Sequence, residues 1–414
     1  MNTLKRDAEK LQQTLVNDRR FLHEHAEIGF QVKHTVEYLQ HRLQEMGYQP
    51  KRVGGGLTVC VGNVKKRAFL LRADIDGLPI PEMSGEPFSC TKGNMHACGH
   101  DFHAAMLLGA AKLLKEREER INGCIKLFFQ PSEESLEGAK KGIEEGVLLA
   151  PKVYGAMSMH VAVATPLKTG TIVLPKGGTV APSADFFQIQ IQGKSCHGAA
   201  PHKGVDAISV ASHTVVALQA FSARELPTFS GGVLTVGKLN GGTNANVIAG
   251  SAELNGTFRI FGEEERDAFK RRMQEIVKGV AQTYGATAKL RFVSGCPSLH
   301  NDERLSALLN ERAKQLKLAT VAASDTPSMG GSEDFAYISR SVPSAFFAIS
   351  AGSLSDGYVF PLHHEKATFD ERALWLGAYW YAACGMAADE KSEKRGKKFG
   401  SRGLTRGKAG AIIV

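Results

Sequence analysis

The stretch MHACGHDFHAA, residues 95–105, packs His96, Cys98, His100, Asp101 and His103 into eleven positions. A thiol and several imidazoles so close in sequence suit a transition ion such as zinc, manganese or cobalt better than calcium, which prefers oxygen ligands. Cys98 and His100 are one residue apart and can face one point from a loop. Thiol–disulfide exchange would want a CxxC pair, and the chain has none. On its own the stretch supports either a metal site with five possible ligands or a set of polar residues satisfied at a helix start.

Other chemistry-bearing residues lie far away in sequence. FFQPSEES carries the adjacent carboxylates Glu133 and Glu134. Such a pair repels itself, and is tolerable where cations neutralise it or where both groups are solvated. With cations present, one carboxylate can be a ligand while its neighbour takes a proton from water. His160 closes an apolar run, and PLHH places His363 and His364 in a loop after another. Singly each is an ordinary structural residue, but four Cys/His/Glu elements at strand ends point jointly to one site. HEHAE at 23–27 imitates the start of a zincin helix, yet its histidines are two apart instead of four and would diverge on a helix. That segment reads as a surface turn.

The elements that must position these residues are legible as patterns. AFLLRA (68–73), CIKLFFQ (124–130) and VYGAMSM (153–159) read as buried strands followed at once by polar residues. Alternation with helical segments such as 104–119 predicts an α/β fold with a mostly parallel central sheet flanked by helices. Ligands gather beyond the carboxyl ends of such strands. From residue 184 the pattern changes: FFQIQIQG alternates Phe187, Ile189 and Ile191 with Gln188, Gln190 and Gln192, the period of a sheet wet on one face. A helix over 206–224, two strands, a charged helix over 263–282 and a last strand complete the order β-α-β-β-α-β of a ferredoxin-like unit. The expected organisation is a catalytic domain of residues 1–183 and 297–390, an inserted α+β domain of residues 184–296, and a tail of residues 391–414.

At 414 residues the chain exceeds the size of one hydrophobic core, and its 43% hydrophobic and 22% charged residues are those of an ordinary globular protein. Leu4, Ala8, Leu11, Leu15 and Leu22 at helical spacing predict a surface helix at the N-terminus, with no apolar signal region, and no stretch approaches the roughly 18 apolar residues of a membrane span. Seven scattered cysteines, an odd number, fit reduced thiols in the cytoplasm. Of the net charge of +9, seven units come from eight Lys/Arg against Glu393 after residue 390. That confines the basic character to a Gly-rich tail, expected to be disordered and to have no specific nucleic-acid partner. A nucleic-acid binder with structural zinc would also use several cysteines as ligands, whereas one cysteine is grouped with histidines here.

RADIDGLPI (72–80), MHACGHDFHAA (95–105), QPSEES (130–135), SMH (158–160), CHGAAPHKGVDAI (196–208), GGTNANVI (241–248), GTFRIF (256–261), GGSEDFAY (330–337) and PLHH (361–364) resemble, in order and spacing, the motifs of the M20 metallopeptidases. The resemblance covers residues 10–388 and is nearest to the amidohydrolase branch, with its hippurate hydrolases, N-acyl-amino-acid amidohydrolases and auxin-conjugate hydrolases. It implies that Cys98, His100, Glu134, His160 and His363 bind two divalent metal ions, manganese or zinc foremost, with cobalt or nickel also suited. His96, Asp101 and His103 are then supports. The resemblance assigns Glu133 as general acid/base and Asp76 as a buried carboxylate that orients the site. It assigns His197 to oxyanion stabilisation across a dimer, and Asn246 and Arg259 to holding substrate. The implied activity is hydrolysis of the amide bond of N-acylated amino acids by a homodimer joined through the inserted lid domain. The rival is an M20-type dipeptidase or carboxypeptidase. The chain departs from the family's commoner residues at Gly77, at Ser132 and Ser135, and from Glu365 to Ala367. None of these replaces a ligand; they leave the acyl preference open.

Overall fold

The computed structural model describes residues 2–226, 231–323 and 331–399. Up to residue 183 the chain forms α1 (Asn2–Lys10), α2 (Gln12–Glu24), α3 (Lys33–Glu45), β1 (Lys51–Val53), β2 (Gly56–Gly62), β3 (Ala68–Asp74), α4 (His100–Lys115), β4 (Cys124–Gln130), α5 (Gly138–Glu144), β5 (Val153–Ala162), β6 (Ile172–Leu174) and β7 (Gly178–Ala181). Then come β8 (Ala184–Gln192), β9 (Cys196–His197), α6 (Ala207–Arg224), β10 (Gly232–Gly241), β11 (Val247–Ile248), β12 (Ser251–Ile260), α7 (Glu263–Thr283) and β13 (Thr287–Cys296). The chain returns through β14 (Leu299–Asn301), α8 (Glu303–Gln315), β15 (Thr320–Ala322), α9 (Phe335–Ser341), β16 (Ser344–Ser350) and α10 (Leu374–Phe399).

One sheet holds eight strands in the order β1-β2-β4-β3-β5-β16-β6-β15. Its centre, β4-β3-β5-β16, is parallel throughout. AFLLRAD and CIKLFFQ are buried along their whole length, as parallel strands covered on both faces must be. β2 runs antiparallel to β4 at one flank, and β6 runs antiparallel to β16 at the other. Helix α4 is apolar almost all round and is buried between this sheet and its neighbouring helices. Its partner α10 approaches closely because a Cβ at Gly377 would lie 1.8 Å from Met106 Sδ, and one at Gly109 would lie 2.7 Å from Ala378 Cβ. Larger residues at either point would push the helices apart.

Residues 184–296 build a second sheet, β10-β12-β8-β13, antiparallel at every pairing. Strands in this order joined by α6 and α7 make the ferredoxin-like arrangement that the sequence pattern predicts. Phe187, Ile189 and Ile191 pack beneath Val210, Leu218, Phe269, Met273 and Val277 of the two helices, an apolar cluster separate from that of the large sheet. Gln190 and Gln192 face solvent. Asp206 caps α6 by accepting from Ile208 N–H at 3.0 Å.

Three expectations need correction. The N-terminal helix is two helices, parted at Leu11. HEHAE is not a surface turn: His23 is buried at the end of α2, with Nδ1 2.8 Å from Asp101 Oδ2 and Nε2 3.0 Å from Glu82 Oε1. Those partners are remote in sequence, so local spacing could not reveal them. The expected disordered tail starts too early, because α10 continues through Phe399. Extending an anchored helix adds one bond per residue without a new nucleus, and Lys, Glu and Arg are good helix formers. Residues 400–414 of that expected tail lie outside the described residues. Among the described residues, no helix is long and apolar enough to cross a membrane.

Candidate metal centre

The cluster forms where the parallel strands end. β3 ends at Asp74 and leads into Asp76, β4 leads into Glu133 and Glu134, and β5 carries His160. Gly99 lets α4 deliver its first residue to the same place. Its φ is +79°, and a Cβ there would lie 2.4 Å from Val161 Cγ2, so only glycine turns the chain between Cys98 and His100. His363 arrives on a loop with its own φ at +66°, anchored by its N–H donating to Ala97 O at 2.9 Å.

Cys98 Sγ lies 3.4 Å from His160 Nε2 and 3.1 Å from His363 Nε2. Glu134 Oε1 lies 3.4 Å from His363 Nε2 and 3.9 Å from His100 Nε2. Donors held about 2.0–2.3 Å from one ion are themselves roughly 3–4 Å apart, so this spacing fits coordination. The donors fall into overlapping sets, Cys98 with His100 and His160, Cys98 with Glu134 and His363, and His100 with Glu133 and Glu134. Shared members allow two adjacent ions. His100 Nε2 and Glu134 Oε1 are buried and have no hydrogen-bond partner among the described residues. Orphaned buried acceptors of this kind are what a cation would satisfy. The donor set therefore fits two divalent metal ions.

Supporting contacts aim the donors. His100 Nδ1 donates to Asp76 O at 2.9 Å, which leaves Nε2 facing the cluster. His160 Nδ1 donates to Val161 O at 2.7 Å. His103 pairs through Nδ1 with Asp74 and accepts through Nε2 from Val161 N–H at 2.8 Å, which braces the strand carrying His160. Asp101 holds Arg19 at 2.6 Å and His23. His96 is buried nearby, and burial pushes its imidazole down to about 4, neutral at physiological pH. Burial would raise the Cys98 thiol, but His160, His100 and His363 outweigh it and bring the group down to about 6, into the thiolate form that binds metals.

The Asp76 carboxylate accepts from Glu133 N–H at 3.0 Å and Glu134 N–H at 3.2 Å, so one buried residue orients both glutamates. This follows a left-handed turn at Ser132, φ +62°, where a residue other than glycine is uncommon. Asp76→Asn replaces one acceptor oxygen by a donor that faces an N–H. It should lower metal affinity or turnover by about 10–100-fold, read by metal titration and kinetics on the same preparation. An unchanged variant would show that the two N–H bonds do not orient the site.

Glu133 is buried beside the donors, with Oε2 4.0 Å from His100 Nε2. Burial first, then the nearby Glu333, Asp334 and Glu134, hold its carboxyl well above the usual range. Sequence reasoning gave no role to Glu333, Asp334, Arg72, Asp74 or Gln130. Arg72 donates to Asp74 Oδ2 at 2.6 Å, to Asp334 Oδ1 at 2.7 Å and to Gln130 Oε1 at 3.0 Å, and its Nη2 is 3.0 Å from Glu333 Oε1. Asp334 N–H donates to Glu133 Oε1 at 3.3 Å. The signal for this group was a charged residue inside the apolar run AFLLRA, followed far along the chain by the acidic pair in GGSEDFAY.

The other expected site residues stand elsewhere. His197 is exposed on β9, where its Nδ1 accepts from Ala199 N–H at 3.1 Å. Asn246 is also exposed, its carbonyl accepting from Gly198 N–H at 2.8 Å, and the β9–β11 pairing keeps the two residues close. Arg259 on β12 donates through Nη1 to Ser332 Oγ at 2.6 Å. The structure thus gathers Cys98, His100, Glu134, His160, His363, Glu133 and Asp76 at one point. It leaves His197 and Asn246 exposed on the inserted segment, while Arg259 reaches across to Ser332.

A partly parallel sheet that presents a Cys/His/Glu donor set for two ions at its strand ends, with a further buried carboxylate alongside, defines a metal-dependent hydrolase. The chain belongs to peptidase family M20/M25/M40, which residues 70–386 match. It is 36% identical over 390 residues to the N-acetyl-L-cysteine deacetylase of Bacillus subtilis, covering 93% of this chain and 91% of that protein. It is 32% identical over 396 residues to thermostable carboxypeptidase 2 of Saccharolobus solfataricus, covering 94% and 98%. Among solved structures it is similar to a Bacillus subtilis protein described as a dinuclear metal binding peptidase from the M20 family, with a TM-score of 0.78, 32% identity and coverage of 92% and 99%.

Proposed function

We propose that this protein hydrolyses the amide bond of N-acylated amino acids, releasing a carboxylic acid and the amino acid. The observation that carries the proposal is the convergence of Cys98, His100, Glu134, His160 and His363 beside the buried Glu133. The similarity to an N-acetyl-L-cysteine deacetylase supports the substrate class.

In this reading the five donors hold two divalent ions, manganese or zinc. Such a pair supplies Lewis acidity and lowers the pKa of water. Glu133 accepts a proton from the attacking water and returns it to the leaving amine, which departs badly as an anion. Asp76 keeps Glu133 and Glu134 in register through their N–H groups. Arg259 and Asn246 hold the substrate. His197 is exposed in the single chain, which suits a donor to the oxyanion of a partner subunit's site in a homodimer. Residues 184–296 form the lid and dimerisation domain, and residues 1–183 with 297–390 form the catalytic domain. The seven free cysteines accord with a cytoplasmic protein.

A dipeptidase or carboxypeptidase activity is favoured by one observation, the similarity to a thermostable carboxypeptidase. A hydrolysis panel of N-acetyl and N-benzoyl amino acids against dipeptides, run on the metal-reconstituted protein, separates the two. Turnover of the acyl amino acids supports the proposal, and cleavage confined to dipeptides overturns it.

A further inference from the structure

The two oxygens of the Glu133 carboxylate keep different company. Oε2 lies 4.0 Å from His100 Nε2, at the donor cluster, whereas Oε1 accepts from Asp334 N–H at 3.3 Å. The last torsion of a glutamate has a broad, two-fold preference, so nothing in the side chain itself settles which oxygen faces where. A hydrogen bond to Oε1 settles it and leaves Oε2 toward the metal donors.

The residue that gives this N–H has its side chain committed to holding itself in place. Asp334 opens α9, where an aspartate ordinarily accepts from the N–H groups of its own helix. It makes no such bond, and Phe335 N–H donates to Glu333 Oε1 at 2.9 Å instead. Asp334 Oδ1 accepts from Arg72 Nη2 at 2.7 Å and from Gln130 Nε2 at 2.8 Å. Its Oδ2 accepts from Gln130 Nε2 and from Ala139 N–H, each at 2.8 Å. These donors stand on β3, on the last residue of β4 and on α5, so the carboxylate is tied to three elements at once. Arg72 Nε also donates to Gln130 Oε1 at 3.0 Å, which braces the two donors against each other. Arg72, Gln130 and Asp334 are all buried. Glu133 follows Gln130 by three residues, so the strand that leads into the base also grips the residue that anchors it.

We propose that Asp334 is a positioning residue: its carboxylate, held by Arg72, Gln130 and Ala139 N–H, fixes its own main-chain N–H against Glu133 Oε1 and so aims Glu133 Oε2 at the water to be activated. The proposal rests on the assignment of Glu133 as general base in the reading above. Its test is a double-mutant cycle on the metal-reconstituted protein with N-acetyl-L-methionine, with metal content measured on each preparation. Asp334→Asn keeps the shape but sets an N–H group against donors, since each oxygen it replaces accepts from two. Its kcat should fall about 10–100-fold, the cost of a base misplaced by up to an ångström, while KM and metal content hold. Added to Glu133→Gln it should cost little more, because the group it aims is already gone, whereas a merely structural role would make the two losses multiply. Gln130→Leu, which leaves Arg72 and Asp334 in place, should show the same fall in milder form, and it takes the place of Asp334→Asn in the cycle if that variant does not fold. An unchanged kcat, a matching loss of bound metal, or multiplying losses overturn the proposal. If the double variant turns over too slowly to measure, the fall in kcat at constant KM and metal content decides. Wild type that cleaves only a dipeptide overturns the N-acyl-amino-acid reading alone, and the cycle is then run on that dipeptide. Full activity in Asp334→Asn beside an inactive Glu133→Gln overturns the positioning role alone.

Discussion

Glu133→Gln is expected to keep its metal ions and to lose at least about two orders of magnitude in kcat. The amide has the shape of the carboxylate, and its oxygen can still accept from Asp334 N–H, the contact now made at 3.3 Å. The main-chain N–H of residue 133 still donates to Asp76, so the turn that carries Glu134 is not disturbed. What disappears is the capacity to take a proton from water and return it to the amine. That capacity follows from the setting. Without metal, burial, then Glu333, Asp334 and Glu134 close by, hold the Glu133 carboxyl above the usual carboxylate range. Metal stoichiometry and steady-state turnover on one preparation test the assignment. Near wild-type turnover would remove Glu133 from the role. Loss of metal would instead make Glu133 a ligand, which its 4.0 Å separation from His100 Nε2 makes a real alternative outcome.

How much of this was legible beforehand depended on range. Periodicity is local, and the elements set by local pattern came through. CIKLFFQ and SAFFAIS are strands over the spans their apolar runs suggest, and the Phe187, Ile189, Ile191 alternation marks the buried face of β8. Asp206 before an apolar run marks the start of α6. Groups whose meaning lies in a remote partner did not come through. Arg72 stood as a charge inside the run AFLLRA with no role assigned, and its partners include Asp334, 262 residues on. His23 looked like a surface residue because Asp101 is 78 residues away. The site residues divide in the same way. Cys98 and His100 are drawn together by one glycine turn, while their convergence with Glu134, His160 and His363 is a property of the sheet, whose parallel strands end side by side. No spacing in the chain expresses that adjacency, and the ordered motifs of the family stood in for it.

Arg72→Met should destabilise the protein by about 3–5 kcal/mol, the cost of stranding buried charge when one partner of an ion pair is removed. Arg72 is wholly buried in the middle of β3 and faces Asp74, Glu333 and Asp334, with Glu133 adding to the negative field. Burial alone would favour its neutral form, but these carboxylates hold the guanidinium well above its usual range. Methionine matches much of the apolar stem and fills the space, so cavity formation is a minor part of the loss. Glu133, Glu333 and Asp334 remain, with carboxylate oxygens within 4.8 Å of one another, and lose the guanidinium that faced them. A domain has a net stability of about 5–15 kcal/mol, so the loss consumes a large share of it. Urea unfolding of the metal-free and metal-loaded variant separates two consequences. The metal-free form should show the full loss. The loaded form should recover part of it, because divalent ions beside Glu133 and Glu134 offset the same negative charge. A metal-free Arg72→Met within about 1 kcal/mol of wild type would mean that the acids shed their charge by taking up protons. In that case Arg72 serves to keep them ionised rather than to keep the sheet folded, and the variant's defect should appear in turnover instead.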